Sequence, residues 1–248
     1  MTDISLELVP RSASSLRKEL ELVRHSFPMI SRINIPDILR FDLRSWTACD
    51  IAGEYMPRTI PHLRAIDFNP DAPLPILNQL RQKHIEAILI INGDPPQEMK
   101  HTYYRTSSLE MIRRLKREAP ELKIYAGIDP YRSGIKDEID YVHAKQDAGA
   151  DAFFTQPFFD LRLMDIYQSF LKNATVYWGV SPVLTDGSRS YWENKNHAIF
   201  PGDFTPTLEW NCRFAREALA FARAHQGNIY FMPIRTDLTS YLNGIFSA

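Results

Sequence analysis

The chain has 248 residues, 44% of them apolar, and its 29 basic and 30 acidic side chains leave a formal net charge of −1. That length can bury a substantial core and matches the usual size of one α/β barrel. The near-neutral, intermixed charge gives no footprint for nucleic acid or an anionic membrane surface, and no run approaches the roughly 18 apolar residues of a membrane span.

Cys49 and Cys212 stand far apart, with no CxxC or Cys/His cluster. They read as two buried free thiols in a reducing compartment. The start of the chain has no charged segment leading into an apolar one, so the expectation is a cytoplasmic protein without a membrane anchor.

Ile4 to Val9 alternates apolar and polar residues up to Pro10, which predicts a first strand. Ser12 to Ser15 offer N-caps for a helix carrying Leu16, Leu20 and Val23, which runs until Pro28. Ile30 to Ile35 is a second strand closed by Pro36, and Leu43 to Tyr55 a helix ended by Pro57. A third strand lies within Thr59 to Asp67, and a helix follows from Pro73 and Pro75 through Ile76, Leu77 and Leu80.

Ala87 to Ile91 is a short, wholly apolar run without helical period, as expected of a strand buried on both faces in a parallel sheet. It ends in Asn92-Gly93-Asp94-Pro95-Pro96, whose prolines forbid helix and further ladder pairing. Ser107 or Ser108 caps the next helix, with Leu109, Ile112 and Leu115 on one face. Lys123 to Asp129 is a strand stopped by Pro130. Ile135 to Ala148 is a helix with Gly149 at its C-terminal side.

Asp151 to Gln156 is a strand stopped by Pro157, Leu161 to Leu171 a helix, and Thr175 to Val180 a strand stopped by Pro182. Residues 184 to 206 read as a long, irregular, polar loop rich in aromatics, with Trp192 as a possible lid residue. Leu208 to Ala224 is a helix, Asn228 to Met232 an eighth strand stopped by Pro233, and Leu238 to Phe246 a short final helix. Strand–helix units recur about every 30 residues with no compositional break. The predicted fold is α/β, a single (β/α)8 TIM barrel over residues 1–248, with an open doubly wound sheet disfavoured because no GxGxxG follows the first strand.

In such a barrel the carboxyl ends of the strands carry the chemistry. Those ends are Glu7, His62, Asp67, Asn92, Asp94, Asp129, Thr155, Gln156, Ser181 and Arg235. Glu7 sits in a strand between Leu6 and Leu8, where a half-dry environment would raise its pKa and fit it for general acid work near neutrality. Its bland alternative is a solvated charge or an ion pair with Arg11 or Arg32.

Asp94 follows a glycine that permits close approach of a ligand, or simply closes an Asx turn. Gln156 offers an amide donor and acceptor to a heterocycle edge, or else satisfies buried backbone. His62 has no second ligand at metal spacing, so no metal site is expected. No GxSxG or P-loop is present.

Five stretches together resemble the methylenetetrahydrofolate reductase family: Ser5-Leu6-Glu7-Leu8-Val9-Pro10, Ile60-Pro61-His62-Leu63, Asn92-Gly93-Asp94-Pro95-Pro96, Asp147-Ala148-Gly149-Ala150-Asp151 continuing into Phe154-Thr155-Gln156-Pro157-Phe158-Phe159-Asp160, and Gly179-Val180-Ser181-Pro182-Val183. The resemblance implies a flavin-dependent barrel enzyme of one-carbon metabolism and methionine biosynthesis. That activity is reduction of 5,10-methylenetetrahydrofolate to 5-methyltetrahydrofolate, or the reverse, with NAD(P)H and FAD. Glu7 would then be the acid that opens the bridging methylene to an iminium. Asp94 would hydrogen-bond the pterin beside the flavin, and Gln156, with Ser181, would orient folate. His62, Asn92, Gly93, Thr106, Glu138, Lys145 and Thr155 would line FAD.

The chain departs from the family pattern at Arg11, at Asn34-Ile35-Pro36-Asp37, at Asn92, at Tyr141 and Ala144, and at Met232, where the family has a tyrosine in the eighth strand. The folate-facing acids are thus better kept than the flavin cradle. Direct hydride transfer without flavin, or a non-catalytic folate-binding or partner subunit, are the alternatives within the resemblance. A homo-oligomer or an electron-donating partner protein is compatible with either. A non-redox aldolase or synthase would need a lysine or metal beside the acids, and no strand end supplies one.

Overall fold

The computed structural model describes residues 2–95 and 101–247. Pro96, the last residue of the Asn92–Pro96 stretch, lies outside them. The eight parallel strands are β1 (Ile4–Glu7), β2 (Arg32–Ile35), β3 (Thr59–Arg64), β4 (Ala87–Ile91), β5 (Lys123–Ile128), β6 (Ala152–Pro157), β7 (Val176–Val180) and β8 (Asn228–Phe231). They hydrogen-bond in sequence order and close into a barrel, with helices between successive strands. The (β/α)8 expectation holds.

The helices are α1 (Ala13–Ser26), α2 (Ser45–Gly53), α3 (Ile76–Gln82), α4 (Ser108–Glu118), α5 (Ile135–Asp147), α6 (Leu161–Phe170), α7 (Asp186–Asn196), α8 (Leu208–Ala224) and α9 (Leu238–Phe246). Their starts are written in the sequence. Ser12 accepts the Ser15 N–H at 3.1 Å to cap α1, and Thr207 accepts the Trp210 N–H at 3.2 Å to cap α8. Ser107 and Glu110 form a reciprocal capping box on α4. After α5, Gly149 takes φ +108°, and a Cβ there would lie 2.6 Å from Lys116 Cγ, so only glycine fits.

Residues 184–206 are not wholly irregular as expected: α7 occupies Asp186–Asn196. Thr185 caps it by accepting the Ser188 N–H at 3.1 Å, and His197 ends it in the left-handed region at φ 56°. No α7 residue is buried, so the helix has no apolar stripe to betray it. β3 lies within its expected span and ends at Arg64, where one 3-10 turn over Ala65–Asp67 follows. Pro157 is paired within β6 rather than merely stopping it, opposite Gly179, after a register shift between Phe154 and Pro157.

Contacts gather the described residues into two compact units. The first comprises residues up to Glu7, 128–141 and 153 onward, and the second comprises 8–127 and 142–152. In the first, β8 takes β1 on one side (Ser5 opposite Tyr230) and β7 on the other (Gly179 opposite Tyr230). Gly179 is needed there because a Cβ would lie 2.4 Å from the Thr155 carbonyl oxygen; its N–H donates to Thr155 Oγ1 at 2.7 Å. Trp178, Phe158 and Tyr167 pack edge to face in this core, each fully buried. Trp210 is core too, and Trp192 packs on Phe159 with ring centres 5.6 Å apart.

In the second unit, β2, β3, β4 and β5 pair in turn, with Asn34 opposite Ile60 and His62 opposite Leu89. Cys49 belongs to this unit and Cys212 to the other; both thiols are free and buried, as expected.

Candidate functional site

In the first unit, β1 delivers Glu7 at its carboxyl end. The Tyr230 hydroxyl donates to Glu7 Oε2. Strand geometry explains the reach: Tyr230 sits opposite Ser5, and Glu7 is the next residue of β1 on that same face. Burial pushes the Glu7 carboxyl up from 4.5 to about 7, and the Tyr230 hydrogen bond pulls the other way. Arg11, a suggested ion-pair partner, instead lies 3.5 Å from Glu19. Glu7 is therefore a desolvated acid held by a phenol.

Sequence reasoning passed over Tyr230, looking instead at Met232 as the substitute for the family's strand-eight tyrosine. The two residues are spaced by one period-2 repeat, so a tyrosine is supplied one repeat earlier in the strand.

Also in this unit, Gln156 ends β6 exposed, so it does not serve to satisfy buried backbone. Thr155 and Ser181 are buried and engaged. Thr155 Oγ1 accepts the Gly179 N–H, and Ser181 Oγ donates to the Met232 carbonyl at 2.9 Å. Both side chains stitch neighbouring strands rather than facing outward. Glu138 is fully buried, accepting the Asp129 N–H at 3.1 Å and paired with Arg132. The Asp129 carboxyl accepts the Tyr131 N–H at 3.0 Å, a local Asx turn.

In the second unit, β4 ends in exposed Asn92 and Asp94 with Gly93 between them at φ +84°. A Cβ on Gly93 would lie 2.8 Å from Arg64 Nε and 3.1 Å from Ile66 Cγ1. The glycine is required because the buried Arg64 side chain lies across it and donates to the Asp94 carbonyl. Arg64 also lies 3.8 Å from Asp67; Asp67 lies 3.2 Å from Arg44, whose Nε donates to buried Asp37 at 2.9 Å. Two arginines and two aspartates thus form a charge-balanced chain beside Asp94. Asp67 is raised in pKa by desolvation, with Arg64 and Arg44 opposing it.

The Asn92 side chain accepts the Ser108 N–H at 2.9 Å, tying β4 to the start of α4, and the Thr106 hydroxyl donates to the Phe68 carbonyl at 2.7 Å. Lys145, 2% exposed, donates to the Gly127 carbonyl at 2.6 Å. His62 is buried, its Nε2 has no hydrogen-bond partner among the described residues, and desolvation pushes its pKa down to about 3.

Of the residues expected to line FAD, Thr106, Glu138, Lys145 and Thr155 are buried with polar groups committed to the protein itself. Asn92 caps a helix, Gly93 is covered by Arg64, and His62 is enclosed. Within each unit, these polar groups are spent inside the protein. Gln156 in one unit and Asn92 and Asp94 in the other are exposed.

A cleft of about 490 Å³ in the first unit is floored by Phe159, Trp210 and Phe214 and rimmed by Asp160, Arg162 and Arg213. Phe159 and Asp160 close the Phe154–Asp160 stretch, but none of the candidate catalytic or binding residues lines the cleft, and Arg162 is already bonded to Asp160 at 3.0 Å. Among the described residues, no helix is long and apolar enough to cross a membrane.

Comparison with known proteins adds two findings. Residues 40–186, more than half of the chain, match the family model described as methylenetetrahydrofolate reductase. Among solved structures, a Clostridium thermocellum protein that binds two copies of 5-methyl-5,6,7,8-tetrahydrofolic acid superposes with a TM-score of 0.64 at 12% identity, covering 99% of this chain and 94% of that one. An oxaloacetate acetylhydrolase (TM-score 0.59, 14% identity, 97% of this chain and 78% of that one) and a 2,3-dimethylmalate lyase (0.59, 13%, 100% and 79%) are similar as well. At such identities these structures establish the barrel fold alone.

Proposed function

Since the chain belongs to the methylenetetrahydrofolate reductase family, we propose that it interconverts 5,10-methylenetetrahydrofolate and 5-methyltetrahydrofolate with NAD(P)H as hydride donor. The observation that carries the reading is Glu7. A reduction of this kind needs a group that protonates the bridged nitrogen, and a carboxyl poised at about 7 is both available as an acid and able to release its proton. The proton goes to the nitrogen, the nitrogen–methylene bond breaks toward that nitrogen, and the remaining iminium carbon accepts hydride from the nicotinamide to become the methyl group. Glu7 leaves as carboxylate and is reprotonated from solvent.

Gln156, exposed at the end of β6, offers an amide donor and acceptor to the pterin edge. Asp94, its backbone fixed by Arg64, offers a carboxylate to the same class of heterocycle. The neighbouring fold that binds 5-methyl-5,6,7,8-tetrahydrofolic acid agrees with a folate ligand. The polar groups expected to face FAD are bonded within the protein, which supports a hydride step directly from the nicotinamide.

The test is an anaerobic assay of purified protein with NADH or NADPH and methylenetetrahydrofolate, alongside its visible spectrum. A colourless protein that oxidises the nucleotide only with folate present is the expected result. A yellow protein would restore FAD to the cycle. No oxidation with either nucleotide, with folate still bound, would replace the enzyme by a folate-binding subunit.

A further inference from the structure

We propose that Tyr230 is a positioning residue for the Glu7 proton: its hydroxyl pins Oε2 and leaves Oε1 as the oxygen that delivers and recovers the proton. The inference rests on the function proposed above and adds a residue to it. Its first support is geometric. Tyr230 is 3% exposed, and its ring stands edge-on to Phe154, with centres 5.1 Å apart and planes at 89°. Phe154 in turn stacks on Tyr177 at 4.2 Å, and the Tyr177 hydroxyl donates to Asp3 at 2.9 Å. A phenol locked at its ring in this way donates in one direction at little entropic cost.

The second support is what surrounds the carboxyl. On β8 the titratable group facing Glu7 is Tyr230. On β7, Tyr177 is turned to Asp3, at the other end of β1. Behind β8, Tyr241 of α9 packs on Phe231, which points away from Glu7, and Cys212 of α8 bonds to the Tyr241 carbonyl. No charged group is among the causes acting on Glu7; burial and the Tyr230 hydroxyl are. A donated hydrogen bond favours the carboxylate, so Tyr230 offsets the desolvation that would otherwise hold the proton too tightly to give up.

The roles separate in a titration read without substrate. Carboxyl-labelled glutamate followed by carbon NMR, with Glu7→Gln to assign the signal, gives the Glu7 midpoint directly. In Tyr230→Phe that midpoint should rise by about 1 pH unit or more, since a hydrogen bond to a charged group is worth roughly that. The pH–rate profile should move by the same amount, with kcat changed about tenfold and KM little altered. Site-specific 3-fluorotyrosine at 230, a stronger donor of nearly the same shape, should move the midpoint down, and it decides the matter even if the phenylalanine variant fails to fold.

A midpoint unmoved in both variants overturns the proposal. A shifted midpoint in a protein without turnover upholds the Tyr230–Glu7 coupling while removing the reductase reading. Turnover with an unmoved midpoint does the reverse.

Discussion

Each of the two units holds a titratable side chain whose charged form desolvation disfavours, Glu7 in one and His62 in the other, and the two answer pH in opposite directions. Glu7 on β1 is an acid whose pKa burial raises to about 7; His62 on β3 is a base whose pKa burial lowers to about 3. The physical term is the same, since desolvation disfavours the charged form of either group. What differs is the partner. Glu7 receives a hydroxyl that supports its ionised form, whereas His62 Nε2 has no partner among the described residues and stays neutral at physiological pH. Two residues beyond His62, the same strand supplies Arg64, which is neutralised by a chain of aspartates. A buried group with a balanced partner is architecture; a half-buried acid left poised at its titration point is suited to move protons.

The sharpest way to break this comparison is Glu7→Gln. Turnover should fall about 10²- to 10⁴-fold, the usual contribution of a general acid, while folate affinity by calorimetry stays within a few-fold. Unchanged turnover would remove Glu7 from the mechanism. Next in size is Arg64→Met, which strips the donor from the Asp94 carbonyl and leaves Asp67 with Arg44 alone. It should cost about 2–4 kcal/mol in urea unfolding, and a loss under about 0.5 kcal/mol would show that the charge chain is not structural.

The pH dependence of stability follows with worked signs. Glu7 binds its proton more tightly folded than unfolded, so its contribution is present below about 4.5 and is lost as pH rises through about 7. Above pH 7, Glu7→Gln should therefore be more stable than the parent by about 1–3 kcal/mol, a gap that closes toward pH 4.5. His62 binds its proton less tightly folded than unfolded, so stability is lost as pH falls from 6.5 toward 3. His62→Leu should flatten that acid limb in melts taken at a series of pH values. The smallest effect is Arg11→Ala. Its partner is Glu19 and the pair is partly exposed, so stability should change by less than about 0.5 kcal/mol and the Glu7 midpoint should stay put. A moved midpoint would reveal a counter-charge on Glu7 after all.

Much of the fold was legible along the chain. Ala87–Ile91 is apolar throughout because a strand covered on both faces has no wet side, and caps such as Ser12 and Ser107 mark helix starts by their own hydrogen bonds. α7 was not legible. Its helix is held by the Thr185 cap and the Arg189–Glu193 pair at 2.9 Å, and an unburied helix carries no period for burial to impress on the sequence. The candidate site divided the same way: Glu7 and Asp94 stood out because a carboxylate at a strand end is unusual, yet Thr106, Lys145 and Ser181 look identical whether they face a ligand or a backbone carbonyl.

By itself the sequence determined the period of the strands, the family and the strand ends at which acids emerge, since each is set by residues close in the chain. Only the tertiary structure decided that Tyr230 meets Glu7 from 223 residues away, that Arg64 covers Gly93, and which polar side chains are spent inside. Those outcomes depend on strand register and on how much water is excluded, two quantities that no local stretch of sequence contains.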